Sequence, residues 1–271
     1  MEFEATFDTP KPILGMVHLG PLPGSPGYDG DLDAVVELAV ADARALAAGG
    51  VDGIVIENFG DAPFHPDDVP KHTVASMTRA AAAVADATAL PRGINVLRND
   101  AAAAVSVAAA VGAAFVRVNV HTGARVTDQG VVEGRAHETI RLRERLDADV
   151  AVFADVDVKH SEPLAAASDP AAAFVDGVER GLADAAIVSG RGTGEPTDVD
   201  AVCDLVEARE RAGLDAPILV GSGVREGTVE DLLSVADGAI VGTALKEGGE
   251  TTAPVDEERV AALVARADAV R

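Results

Sequence analysis

The sequence predicts a parallel (β/α)₈ barrel built as a single domain over residues 1–271. Three observations carry this. Eight short apolar runs of strand length alternate with longer Ala-rich amphipathic stretches. The 271 residues match the roughly 250 usual for such a barrel. No linker or shift in composition divides the chain. The rival architecture, an open doubly wound sheet, wants a G-x-G-x-x-G turn after its first strand. Here that turn reads Gly20-Pro21-Leu22-Pro23-Gly24, which does not fit.

The elements follow in order. Pro12 to Leu19 is the first apolar run, and a Gly/Pro loop continues to Gly30. Asp31 is placed to cap a helix reaching Ala48, which Gly49-Gly50 ends. The second strand is Gly53 to Asn58; a Pro-rich loop and a helix over Lys71 to Leu90 come next. Pro91 opens a third strand reaching Arg98, and Asn99 to Val111 reads as helix. Phe115 to Val120 is the fourth strand, and a charged helix around His137 to Leu146 leads to the fifth, Val150 to Val158. Ala185 to Ser189, Pro217 to Val220 and Gly238 to Gly242 are the remaining strands, and a closing helix runs from Val255 towards Arg271.

Charge excludes whole classes of partner. There are 45 acidic against 22 basic residues, a formal charge of −23, and only four lysines: Lys11, Lys71, Lys159 and Lys246. Such a field repels phosphate backbones and anionic lipid heads, so no nucleic-acid or membrane-surface role is expected. The acids are spread along the chain rather than blocked into a tail. Their density, with so few lysines, reads as a surface adapted to high salt, of the haloarchaeal kind. One cysteine, Cys203, allows neither an internal disulfide nor a cysteine-rich zinc site. No apolar run approaches the roughly 20 residues of a spanning helix, and the acidic start MEFEATFDTPKP lacks the pattern of a signal peptide. A cytoplasmic protein is expected.

In a barrel of this kind the active face lies at the C-terminal ends of the strands, where residues alternate inward and outward. On the fifth strand Asp155, Asp157 and Lys159 alternate with Val156 and Val158, which aims the three charges into the mouth. Buried charge is costly unless it is paired or used, so the set is either catalytic or a structural ladder. On the fourth strand Arg117, Asn119 and His121 share a parity; Arg117 would hold an anion or pair with Asp155. Glu57 ends the second strand and suits a general base or a metal ligand. His18 ends the first strand, with Leu14 and Met16 on its parity. Asn95 and Arg98 on the third strand are weaker members, and His160 faces away.

The Gly-rich turns complete the set. Strand seven runs into Gly221-Ser222-Gly223-Val224 and strand eight into Gly242-Thr243. Loops seven and eight are the habitual phosphate seat of (β/α)₈ enzymes, and glycine lets backbone N–H groups approach an anion closely. The sixth loop, Ser189-Gly190-Arg191-Gly192-Thr193-Gly194, offers a further rim of donors.

Read together, these segments resemble the BtpA/SgcQ family. The matching stretches are Met16 to Pro26, Asp52 to Asn58 with Asp61 to Phe64, Arg117 to Val120, Thr127 to Gly130 with Glu133-Gly134, Asp155 to His160 and Gly221 to Val224. The resemblance implies a TIM barrel of the ribulose-phosphate-binding kind. The family takes its name from a factor affecting photosystem I accumulation, and another branch is linked to sugar uptake; neither name brings a settled reaction. The residues themselves suggest an enzyme on a small phosphorylated sugar or related ester. Phosphate would sit on Gly221, Ser222, Gly223, Gly242 and Thr243. Glu57 or Asp157 would act as base. Lys159 would stabilise an enolate oxyanion or form a Schiff base. Glu57, Asp155 and Asp157 could alternatively hold Mg²⁺. The other readings are a non-catalytic assembly factor and a phosphometabolite sensor, and a homo-oligomer through the outer helices is compatible with all three.

Overall fold

Eight parallel strands close on themselves in the order β1 (Ile13–His18), β2 (Gly53–Glu57), β3 (Arg92–Asn95), β4 (Phe115–Val118), β7 (Ala151–Asp155), β9 (Ala185–Val188), β10 (Ile218–Val220) and β11 (Gly238–Val241). The structure is a computed structural model, described here for residues 2–164, 169–190 and 197–271. The shell is formed by α2 (Leu32–Ala48), α3 (Lys71–Ala87), α4 (Ala101–Val111), α5 (Ala136–Arg145), α6 (Pro170–Glu179), α7 (Val199–Ala212), α8 (Val229–Val235) and α9 (Glu257–Ala267). Asp31 caps α2, its side chain accepting from Ala34 N at 3.0 Å.

Strand parity decides what lies where. Leu14, Met16, Val55, Phe115, Phe153, Ile187, Leu219 and Ile240 fill the barrel, while their neighbours Ile13, Val17, Ile54, Ile56, Val116 and Val152 pack against the helices. Phe115 and Phe153 stack at 4.4 Å between ring centroids. Gly93 stands beside them because a Cβ there would lie 2.1 Å from the Phe115 ring. The sequence reading missed a short helix, α1 (Phe3–Phe7), which closes this floor: Phe7 meets Phe115 edge-on at 6.0 Å and Phe3 meets Phe153 at 6.2 Å. Its signal is the Phe pair at i, i+4.

Three aspartates repeat one device at the N-terminal end of the barrel. Asp52, Asp184 and Asp237 each precede a strand. Their carboxylates accept an N–H from the start of the neighbouring strand, from Ile13, Val152 and Ile218 at 2.7, 2.8 and 2.9 Å. Each also receives an arginine, Arg271, Arg143 and Arg209 respectively. A share of the acid content thus fixes strand register rather than coating the surface.

Most strands are shorter than the sequence suggests: the fourth stops at Val118 and the fifth at Asp155. Beyond them lies a three-stranded antiparallel sheet, β6 (Gly130–Glu133), β5 (Ala124–Thr127) and β8 (Ser161–Pro163). The sequence reading left this region unassigned. Its cue is the two-residue turn Asp128-Gln129 between short β-rich runs, closed by Gly130 at φ 97°.

Candidate active site

Four strand ends place one polar row across the barrel mouth. In the sheet register His18 pairs with Glu57, Glu57 with Asn95, and Asn95 with Arg117. All four are largely buried above the apolar layer that holds Met16 and Val55. Parity read from the sequence places His18, Glu57 and Arg117 on the inward side, and the structure has them there.

Arg117 is committed to Asp155. Its Nε and Nη2 each donate to that carboxylate at 2.9 Å. Asn119 Nδ2 donates to the same group at 3.1 Å, and Ser189 Oγ at 3.4 Å. Asn95 braces the assembly, donating to Arg117 O and Asn119 Oδ1, both at 3.0 Å. Asp155 therefore anchors the row; with both oxygens engaged it is neither a free base nor a free metal ligand. Asn119 and Ser189 likewise hold Asp155 rather than face a ligand. Of the two roles read for Arg117, the structure shows the pairing, though its side chain still borders the mouth cavity.

Asp157 departs from its expected place. Because β7 ends at Asp155, alternation fails beyond it, and Asp157 turns outward to pair with Arg125 of the antiparallel sheet, its side chain 55% exposed. Val158 packs with Val120 and Val132 under that sheet. The expected magnesium set of Glu57, Asp155 and Asp157 is thus not assembled, and no group of three His, Cys, Asp or Glu suited to a metal occurs among the described residues. His121 also leaves the mouth. It meets Gly181 O at 2.8 Å and lines a separate cavity of about 240 Å³ between the antiparallel sheet and α6.

The residues that do converge are Lys159, Glu57 and His18. With Met16 and Arg117 they line one small cavity whose other wall is Gly221 to Val224 and Gly242 to Ala244. Its volume is about 40 Å³, roughly three times what one water requires. Burial pushes the Glu57 carboxyl up, against the pull of Lys159 and Arg117. Burial and then Arg117 push the Lys159 amine down. Burial and Lys246 push His18 down to about 3. His18 Nδ1 lies 3.2 Å from Thr251 O; a neutral ring donates there, which leaves Nε2 an acceptor 3.9 Å from Glu57 Oε1. Phe59 packs on the ring at 4.8 Å.

The two turns are built for close approach. A Cβ on Gly221 would lie 2.3 Å from Ile187 Cγ2 and 2.7 Å from Ser189 Oγ, and one on Gly242 would lie 3.0 Å from His18 Cε1. Gly223 sits at φ 71°. Ser222 lines the cavity, but its hydroxyl is taken: Oγ accepts Gly190 N at 2.9 Å, so Gly190 braces the turn from behind. Thr243 Oγ1 and Thr251 Oγ1 lie 2.9 Å apart, which ties loop eight to the residue that orients His18. Sequence reasoning missed Thr251 and Phe59, since both reach His18 from loops with no motif of their own. Arg191 lies outside the described residues.

Comparison with known proteins gives a match to the BtpA family over residues 9–269. An uncharacterised protein of Thermococcus kodakarensis is 49% identical over 271 residues, covering 100% of this chain and 98% of its own. The photosystem I biogenesis protein BtpA of Synechocystis is 46% identical over 264 residues, 97% of this chain and 90% of its own. An uncharacterised mitochondrial protein of Caenorhabditis elegans is 28% identical over 254 residues, 92% and 90% of the two chains. Among solved structures, Mycobacterium tuberculosis tryptophan synthase aligns with TM-score 0.62 and 18% identity over 100% of this chain and 98% of its own. Orotidine 5'-phosphate decarboxylase from Pyrococcus horikoshii aligns with TM-score 0.58 and 16% identity over 94% and 99%. At such identities the likeness is one of fold.

Proposed function

The chain belongs to the BtpA family, and from that footing we propose that it is an enzyme acting on a small phosphate ester, a sugar phosphate above all, by proton-transfer chemistry of the lyase or isomerase type. One observation carries the reading: Lys159, Glu57 and His18 share a single cavity with the Gly221–Val224 and Gly242–Ala244 turns. The turns offer backbone N–H groups to an anion. Lys159 brings a basic side chain, not matched by an ion pair among the described residues, into a chain of net −23, which favours an anion there. Glu57, its pKa raised by burial, has the profile of a general acid or base. Lys159 sets its amino group beside the reacting carbon. The cavity's size favours a short substrate. Fold neighbours named for phosphate esters, an N-(5'-phosphoribosyl)anthranilate isomerase and orotidine 5'-phosphate decarboxylase, support the same choice.

The test is a thermal-shift screen of sugar phosphates, with and without Mg²⁺. A ligand that binds only the folded state at about 100 times its Kd adds about 2.7 kcal/mol, a shift of several degrees in Tm. The reading expects hits among short phosphates, lost in Gly242→Val. For a hit that turns over, Lys159→Ala abolishes turnover with Tm almost unchanged. A screen without hits would sink the reading.

A second reading, an assembly factor, draws on the Synechocystis relative's name. It requires a stoichiometric large partner recovered by pull-down, with no protection by any phosphate. Relatives in Thermococcus and a nematode do not suit a role limited to photosystems. A sensor would bind phosphates without turnover.

The high-salt reading rests on charge alone and stands as a proposal beside these. Cytoplasmic location and a homo-oligomer stand likewise. Among the described residues no helix is long and apolar enough to cross a membrane.

A further inference from the structure

Among the described residues Lys159 differs from Lys11 and Lys246 in having no hydrogen-bond or ion-pair partner for its Nζ, and from Lys71 in lying away from open solvent. Lys246 is buried against Asp42, Nζ to Oδ2 at 2.5 Å. Lys11 donates to the Leu233 carbonyl, and Lys71 stands exposed at the start of α3. Lys159 lines the mouth cavity, yet no hydrogen bond or ion pair engages its Nζ among the described residues. Among the described residues no acidic side chain closes an ion pair with it, and Glu57 and Asp155 act on it only across the intervening space. Glu57 across the cavity is equally unengaged: its carboxylate has His18 Nε2 at 3.9 Å and no hydrogen bond among the described residues. Two complementary groups thus face one small space without closing on each other, and the space adjoins the glycine turns.

From this placement we infer that Lys159 is a covalent nucleophile and that the substrate is a short aldehyde or ketone phosphate, its carbonyl carbon condensing with Nζ while its phosphate rests on the Gly221–Val224 and Gly242–Ala244 turns. The inference rests on the proposed function and narrows it: an enolising enzyme that merely steadies an oxyanion needs a charged lysine, whereas this one needs a free amine.

The surroundings favour the amine. Burial and the Arg117 guanidinium disfavour the ammonium, and burial keeps the Glu57 carboxyl protonated to higher pH than usual. The step balances with these two groups alone. The Lys159 lone pair adds to the carbonyl carbon, and a proton passes from nitrogen to the former carbonyl oxygen. Glu57 then gives its proton to that hydroxyl, which leaves as water. An iminium on Lys159 and a Glu57 carboxylate result. The iminium draws electrons from the adjacent carbon, and the carboxylate just formed takes that carbon's proton, which gives the enamine and restores the acid. One residue thus serves first as acid and then as base, consistent with Glu57 being the one carboxyl among the described residues that line the cavity.

The experiment is borohydride trapping on the full-length protein. Dihydroxyacetone phosphate and glycolaldehyde phosphate are added with borohydride, and the protein is analysed by intact mass and peptide mapping. The inference expects a single, saturable adduct on the peptide bearing Lys159, equal to the carbonyl compound less one oxygen. Excess inorganic phosphate suppresses it at least tenfold, dihydroxyacetone without phosphate gives at least tenfold less, and Lys159→Arg gives none while keeping the wild-type Tm. The same compounds are run in thermal shift. A Tm rise without an adduct on Lys159, or adducts confined to Lys11 and Lys71, overturns the covalent role and leaves the phosphate-ester reading standing. Neither a Tm rise nor an adduct, for these or longer carbonyl phosphates, overturns both.

Discussion

Both ends of the Arg117 fork terminate on the one carboxylate of Asp155, Nε to Oδ2 and Nη2 to Oδ1, each at 2.9 Å. Two residues along the chain, the solvent-exposed Asp157 meets the largely buried Arg125, which also donates to Ser161. Removing one partner of a buried pair leaves an uncompensated charge and costs about 3–5 kcal/mol. Exposed pairs contribute about 0–1 kcal/mol. Asp155→Ala is therefore expected to lower unfolding stability by about 3–5 kcal/mol and Asp157→Ala by less than about 1 kcal/mol. Urea titration of the two variants checks this, and equal losses would contradict the assignment of only one of them as anchor.

These two aspartates also mark how far the sequence could be read. Period two holds while a strand lasts, so His18, Glu57 and Arg117 were legible as inward. It says nothing of where a strand stops, and β7 stops at Asp155. Asp157 was misplaced for that reason, and the magnesium set fell with it. Lys159 reached the mouth by a turn rather than by alternation. The barrel itself was plain, because eight repeats of one apolar pattern outweigh an error at any single boundary. Thr251, Phe59 and the three aspartate clips were not legible, since each acts on a partner distant in sequence.

Glu57 sets up a stability–function conflict. Its folded pKa is raised above the ordinary 4.5, so its contribution to stability is full below pH 4.5 and is lost as pH rises through the folded value. Gln keeps the shape and never ionises. Glu57→Gln is expected to unfold at the wild-type temperature below pH 4.5, to be the more stable protein at neutral pH, and to lose turnover. Tm against pH for both proteins decides it; a less stable variant at neutral pH would mean that the ionised carboxylate is held by pairing.

His18 runs in the opposite sense. Its pKa falls from 6.5 to about 3 on folding, so its contribution is present above pH 6.5 and is lost as pH falls from there towards 3. The unfolded chain takes up the proton first, at about 1.4 kcal/mol per pH unit. His18→Asn removes that proton from the balance. Its stability is expected to decline less steeply than wild type between pH 6.5 and 3, by close to one proton in the slope; parallel curves would place a charged ring in the folded site.

Gly221 tests the anion seat without removing a titrating group, although an added Cβ would come within 3.5 Å of Arg117 Nη2. An added Cβ would lie 2.3 Å from Ile187 Cγ2 and 2.7 Å from Ser189 Oγ, while one on Gly227 meets nothing within 4 Å. Overpacking of this kind costs about 1–3 kcal/mol. Gly221→Ala is expected to lose about that much stability and to weaken inorganic phosphate binding at least tenfold in calorimetry, with Gly227→Ala close to wild type in both. Undiminished phosphate binding in Gly221→Ala would move the anion elsewhere.

The net charge of −23 gives the last prediction. Screening length falls from about 10 Å at 0.1 M salt to about 3 Å at 1 M, so repulsion among spread carboxylates fades over that range. The surface pairs such as Arg135–Asp67 and Arg266–Glu230 weaken as well, but each contributes at most about 1 kcal/mol, and unpaired acids outnumber them. Repulsion relieved therefore exceeds attraction lost, and Tm is expected to climb steadily from low salt to molar KCl. The buried Lys246–Asp42 and Arg117–Asp155 pairs are shielded from the added ions and keep their contribution throughout. A Tm that stays level or falls across the series would remove salt adaptation as the reason for the acidic surface and leave the aspartate clips and caps as its main structural use.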